Sequence, residues 1–176
     1  GLGYQQVISQ GALNAAVAYQ YGHNNNVFVD GMFSGNDDFA REYHQLFFGI
    51  LGVGEQEYHE SVSIENTARA LTGMRAEYHS SSQGGPDVEI SFDAERHHVD
   101  PLEILHQSIA GPTAREKIGA LSEIAIKHPE SLDNLPVMIV SNLADDNLTE
   151  EKIALIRKIW QGMPEKDLLE FLKLYA

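Results

Sequence analysis

Cysteine is absent from the 176 residues. That removes disulfides, thiolate metal sites and cysteine nucleophiles together. Lysine is missing from the first 99 residues, which carry four arginines against 13 acids; residues 100–176 carry eight basic and 13 acidic residues. Glycine is scarce in the second region, where only Gly111, Gly119 and Gly162 occur. Nothing approaches the ~18 consecutive apolar residues of a membrane span, so no such span is expected. The chain opens at Gly1 with no leader pattern, as a fragment or trimmed chain would.

What is present is acid. Lys plus Arg total 12 and Asp plus Glu 26, a formal charge of −14. Such a surface repels phosphate backbones, so no nucleic-acid partner is expected; it favours a protein partner with a basic surface. Apolar residues at 43% suffice for a globular core. The composition leaves the compartment open between the cytoplasm and secretion as an effector.

Hydrophobic periodicity predicts a mainly α fold of α+β type. A mixed α/β region occupies residues 1–99, with a linker near 80–86, and a bundle-like helical region occupies 100–176, the two sharing one core. Helices are expected over 4–21, 37–51 and 62–79. Within 37–51, Phe39, Tyr43, Leu46, Phe47 and Ile50 form a buried stripe. Val27–Val29 and Met32–Phe33 flank Asp30-Gly31, a hairpin signal. Val88, Ile90 and Phe92 alternate with polar residues as a short strand. Beyond Asp100 all regular structure is expected to be helical: Thr113 to Glu116 reads as a capping box, Val137–Val140 as helix, and Pro164 as a first helical position. Phe39, Phe47, Ile50, Ile64, Leu71, Ile118, Leu121, Ile153, Ile156 and Leu172 are the expected core.

Eight histidines stand out. Glu-Tyr-His occurs at Glu42–His44, Glu57–His59 and Glu77–His79, and at least one of His44, His59 and His79 is expected to pair with a carboxylate that raises its pKa. His44, His59, Glu57 and Glu60 are candidate ligands for zinc or another divalent ion, because imidazole and carboxylate suit such metals; no other cofactor is expected. None of these pairs has the His-x-x-x-His spacing of a helical peptidase site.

Glu65-Asn66, Arg69, Gly73, Arg75 and Tyr78, preceded by the 37–51 helix, resemble the stretch downstream of the zinc motif in bacterial effector metallopeptidases of the HExxH type. The motif would fall on Arg41-Glu42-Tyr43-His44-Gln45, where Glu42 keeps the general-base position and both zinc positions are lost. The resemblance covers under a quarter of the chain and implies a decayed relative. A second candidate, Glu95-Arg96-His97-His98, resembles the start of HNH-type nuclease sites, in which a histidine leaving a strand activates water. The candidate catalytic residues are thus Glu42, His97 and His98. The leading expectation is a soluble acidic protein-binding module: an inhibitor, an antitoxin-like protein or an assembly component, leaning away from catalysis. The rival is a histidine- and glutamate-based metal-dependent hydrolase or bacterial effector domain.

Overall fold

The computed structural model describes residues 2–52, 60–80 and 86–176. Among the described residues, eight α-helices and three two-stranded antiparallel sheets make a mainly helical α+β fold. The first expected helix is two: α1 (Tyr4–Ala12) and α2 (Ala15–Gln20). Asn14 separates them in an extended conformation, and its side chain accepts the Ala16 N–H at 2.8 Å. A side-chain acceptor there satisfies a backbone donor that the new helix start leaves without an intrahelical partner.

The Asp-Gly signal produces β1 (Val27–Val29) and β2 (Met32–Ser34). Asp30 and Gly31, at φ 53° and 75°, make the tight left-handed turn that matches strand twist. Next, α3 (Asp38–Glu42) runs directly into a π turn over Tyr43–Phe47. A π turn inserts one residue per turn and rotates everything after it. Leu46, expected inside, is therefore 58% exposed, while Phe48 is fully buried.

The helix expected over 62–79 is half strand. A π turn (Glu60–Ile64) leads into α4 (Glu65–Ala70), and the chain then reverses into β3 (Met74–Ser80), which pairs with β4 (Pro86–Phe92) from Met74↔Phe92 to Ser80↔Pro86. Gly73 forces the exit. Its φ is +75°, and an added Cβ would lie 2.4 Å from the Asp93 carbonyl oxygen. Gly73→Ala is expected to destabilise by about 2 kcal/mol or more, read as a lowered urea midpoint. An unchanged midpoint would show that the 93–97 segment yields freely. The linker expected near 80–86 falls between these paired strands, and its residues 81–85 lie outside the described residues.

Beyond residue 100 the structure departs from expectation at a hairpin and at Pro164. β5 (Leu102–Ile104) and β6 (Gln107–Ile109) form a hairpin where only helix was expected. Leu102, Ile104 and Ile109 are buried and Glu103 is exposed, so the segment has the two-residue period of a strand. Its turn is made by Leu105 and His106 at φ 51° and 58°, without glycine, asparagine or proline to signal it. The rest is helical: α5 (Ala114–Ala125), α6 (Pro129–Leu143), α7 (Glu150–Gly162) and α8 (Leu168–Tyr175). The Val137–Val140 run lies within α6. Thr113 caps α5, accepting the Arg115 N–H at 3.2 Å and donating its hydroxyl to Glu116. Pro164 does not open α8; Asp167 caps it, accepting the Glu170 N–H at 2.9 Å.

One hydrophobic cluster runs from Ala12 to Phe171. Of the expected core, Phe39, Ile50, Ile64, Leu71, Ile118, Leu121 and Ile156 are buried, and Phe47, Ile153 and Leu172 are half-buried. No described helix is long and apolar enough to cross a membrane.

Candidate functional site

The β5–β6 turn stands against the corner between α5 and α6, leaving a cleft of about 430 Å³. His106 and Gln107 come from the turn, Glu123 and Lys127 from the end of α5 and beyond, and His128 from the start of α6. His128 caps α6, its Nδ1 accepting the Glu130 N–H at 3.3 Å. The cleft thus gathers two imidazoles, a carboxylate and an ammonium beside a helix N-terminus, where backbone N–H groups favour negative charge.

Behind this wall runs a buried polar chain. The Thr67 hydroxyl donates to the Ser63 carbonyl at 2.7 Å and lies 2.8 Å from His44 Nε2. With its single proton committed to Ser63, Thr67 accepts from His44, so His44 carries its proton on Nε2. Ser63 Oγ in turn accepts the Leu105 N–H at 3.1 Å, which ties His44 and α4 to the β5–β6 turn. His44 is fully buried. Burial, with a smaller push from His128, lowers its pKa to about 3. Of the three histidines among which a carboxylate partner is expected, His44 is bound to a hydroxyl and held neutral instead, and His59 lies outside the described residues. His79 is exposed and lies 3.7 Å from Glu89.

Glu130 secures the neighbouring segment. Its Oε2 accepts the N–H groups of Leu51 and Gly52 at 2.7 and 3.0 Å, and Asn134 donates to the Gly49 carbonyl at 2.9 Å.

The remaining sequence candidates occupy other places. Glu42 accepts the Tyr21 hydroxyl and lines a separate, shallow depression with Asp38 and Arg41. His97 is 5% exposed; its Nδ1 donates to the Thr72 carbonyl at 2.7 Å, and burial lowers its pKa. The His98 ring lies 4.2 Å from that of Phe28, the His98 backbone N–H donates to Thr72 Oγ1 at 2.9 Å, and the His98 carbonyl accepts from Lys117. Thr72 and Lys117 therefore stitch His97 and His98 to the α4–β3 turn and to α5. Glu57 and His59 lie outside the described residues, and Glu60 opens the second π turn. Among the described residues, no group of three or more histidines and carboxylates is placed to hold a metal ion.

Two contributors escaped the sequence reading. His106 carries no local signal because its turn lacks turn-forming residues. Lys117 occupies the apolar side of α5 and is fully buried, with Nζ donating to the carbonyls of His98 and Asp100, the latter at 2.8 Å. Burial lowers its pKa, opposed by the charge of Asp100.

No curated protein and no solved structure matches the chain. A family model does, over residues 9–173: its description is protein of unknown function, DUF1800, and the chain belongs to that family.

Proposed function

We propose that the chain is an acidic protein-binding module acting as an inhibitor, an antitoxin-like protein or an assembly component, with a partner that offers a basic surface. One observation carries this reading. At the tip of the β1–β2 hairpin, Val29 and Met32 are cross-strand neighbours and are 43% and 70% exposed, next to Asp30. An apolar pair beside a carboxylate, on a chain of charge −14, suits an apolar anchor ringed by cations on the partner. The turn geometry is independent of both side chains, so they can be changed without unfolding the hairpin.

The test compares the native chain with the Val29→Ser/Met32→Ser variant as baits in extract of the source cells at physiological salt. The expected result is one partner held in stoichiometric amount by the native chain and released by the variant, with melting temperatures unchanged. Equal retention by both baits would overturn the reading, as would the absence of any stoichiometric partner.

The second reading, a histidine- and glutamate-based metal-dependent hydrolase or bacterial effector domain, has two imidazoles and a carboxylate in the cleft, but these are not placed to hold a metal together, so its ligand set would have to draw on residues outside the described ones. Metal analysis of protein from its native source separates the two. One tightly held zinc per chain would reverse their order.

A further inference from the structure

A second cavity, of about 260 Å³, lies between the α1–α2 pair and the α3 segment. Ile8, Ala12, Val17, Phe39 and Phe47 line it with carbon, and Tyr21 belongs to its wall. The cavity opens to solvent past the exposed Gly11, so its apolar lining is in part wetted, and an apolar group entering it would gain dispersion contacts and release that water. Gly11 keeps its rim open: it is exposed, a Cβ there would meet no atom within 4 Å, and glycine inside a helix costs about 1 kcal/mol relative to alanine. Filling that space would stabilise α1, and the sequence leaves it open.

Tyr21 also lines the neighbouring depression with Asp38, Arg41 and Glu42, so its ring serves the apolar cavity while its hydroxyl reaches the polar surface and donates to Glu42. Arg41 is engaged by Asp37 at 2.9 Å. The surface across the Tyr21 ring from the apolar pocket is therefore acidic, with Glu42 at the Tyr21 hydroxyl and Asp38 in the same depression. Apolar cavities of roughly 150 Å³ take up benzene, so this one has room for a phenyl ring and a short tether.

We propose that this cavity and the acidic surface across Tyr21 bind a small amphiphile, an aryl or short alkyl group bearing a protonated amine. The apolar body replaces the missing packing beside Gly11, Phe39 and Phe47. The ammonium sits at Glu42 and Asp38, where charge-assisted hydrogen bonds are available. Of the observations behind the protein-binding reading, this assignment shares none.

Phenylethylamine is the probe, titrated into the full chain and followed by proton–nitrogen correlation NMR. Saturable shifts confined to α1, α2 and α3 are expected. Phenylpropionate, with a similar body and the opposite charge, should bind about tenfold more weakly, and Glu42→Gln should reduce that preference to about twofold. Gly11→Leu should abolish binding of both probes and of neutral phenylethanol, at an equal or higher melting temperature. Should that variant fail to fold, Val17→Phe fills the same space from α2. The proposal is overturned by an amine titration without saturable shifts. Equal affinity for the amine and the acid, or unimpaired binding by a folded cavity-filling variant, would overturn it as well.

Discussion

Lowering the pH from about 7.5 to about 5 is expected to destabilise the fold by on the order of 4 kcal/mol through His23 and His44 alone. Both are fully buried, and burial lowers their pKa values to about 4 and about 3. His23 is packed between aromatic rings, 6.2 Å from Tyr21 and 5.0 Å from Phe39. In the unfolded chain both titrate near the ordinary value of ~6.5. Between that value and the folded pKa the unfolded state binds more protons, so stability falls as the pH falls. His97, lowered in the same direction, adds to the slope. The carboxylates that fold with lowered pKa values act in a separate, more acidic window: Asp145, held at about 2 by Lys152, and Glu116 and Asp167, held down by their cap hydrogen bonds. Their stabilising effect is present above the unfolded carboxylate range and is lost below it. Urea midpoints at the two pH values give the measurement, and His44→Gln should flatten the slope by about half. A midpoint that stays constant, or rises on acidification, would mean that these imidazoles are not neutral in the fold.

Trp160→Ala is expected to cost about 3–5 kcal/mol, a large share of the ~5–15 kcal/mol that holds a domain of this size. The indole is fully buried where α1, α7 and α8 meet. Its ring centroid lies 4.9 Å from Phe171 and 6.3 Å from Tyr4, both edge-on, and the Lys166 ammonium sits 5.6 Å above it. Lys166 also joins the chain ends, its carbonyl accepting the Tyr4 N–H at 2.7 Å. Truncation removes the common partner of three helices, so the melting temperature and the protease resistance of α8 should fall together. Trp160→Phe, which keeps a ring in the site, should cost less than half as much. A loss below about 1 kcal/mol for the alanine variant would show that the seam closes around the void.

The readable elements share a cause. The β1–β2 turn, the Thr113 cap and α5 to α7 are each specified by a few adjacent residues: Asp30-Gly31 for left-handed φ values, Thr113 and Glu116 for orphan N–H groups, and apolar stripes with helical period. The misreadings share one too. The periodicity of 62–79 fits a helix until Gly73, because alternation in a half-buried strand and a helical stripe agree over a few residues. Leu46 faces outward because of the π turn over Tyr43–Phe47, which leaves no signal in the local composition. Glu42, His97 and His98 could be singled out as chemically able residues. Their partners, Tyr21, Thr72 and Lys117, lie 19 to 26 positions away in the chain.

By itself the sequence determined the mainly helical class, the β1–β2 hairpin, the charge of −14 and most of the core, since each depends on local spacing or on totals. Tertiary structure alone decided the protonation of the histidines, the β5–β6 hairpin, and the meeting of His106 with His128 and of Tyr21 with Glu42. The reason lies in what fixes a pKa or a cleft. Desolvation and charge proximity depend on which distant segments pack around a group, and the spacing of residues along the chain does not encode that packing.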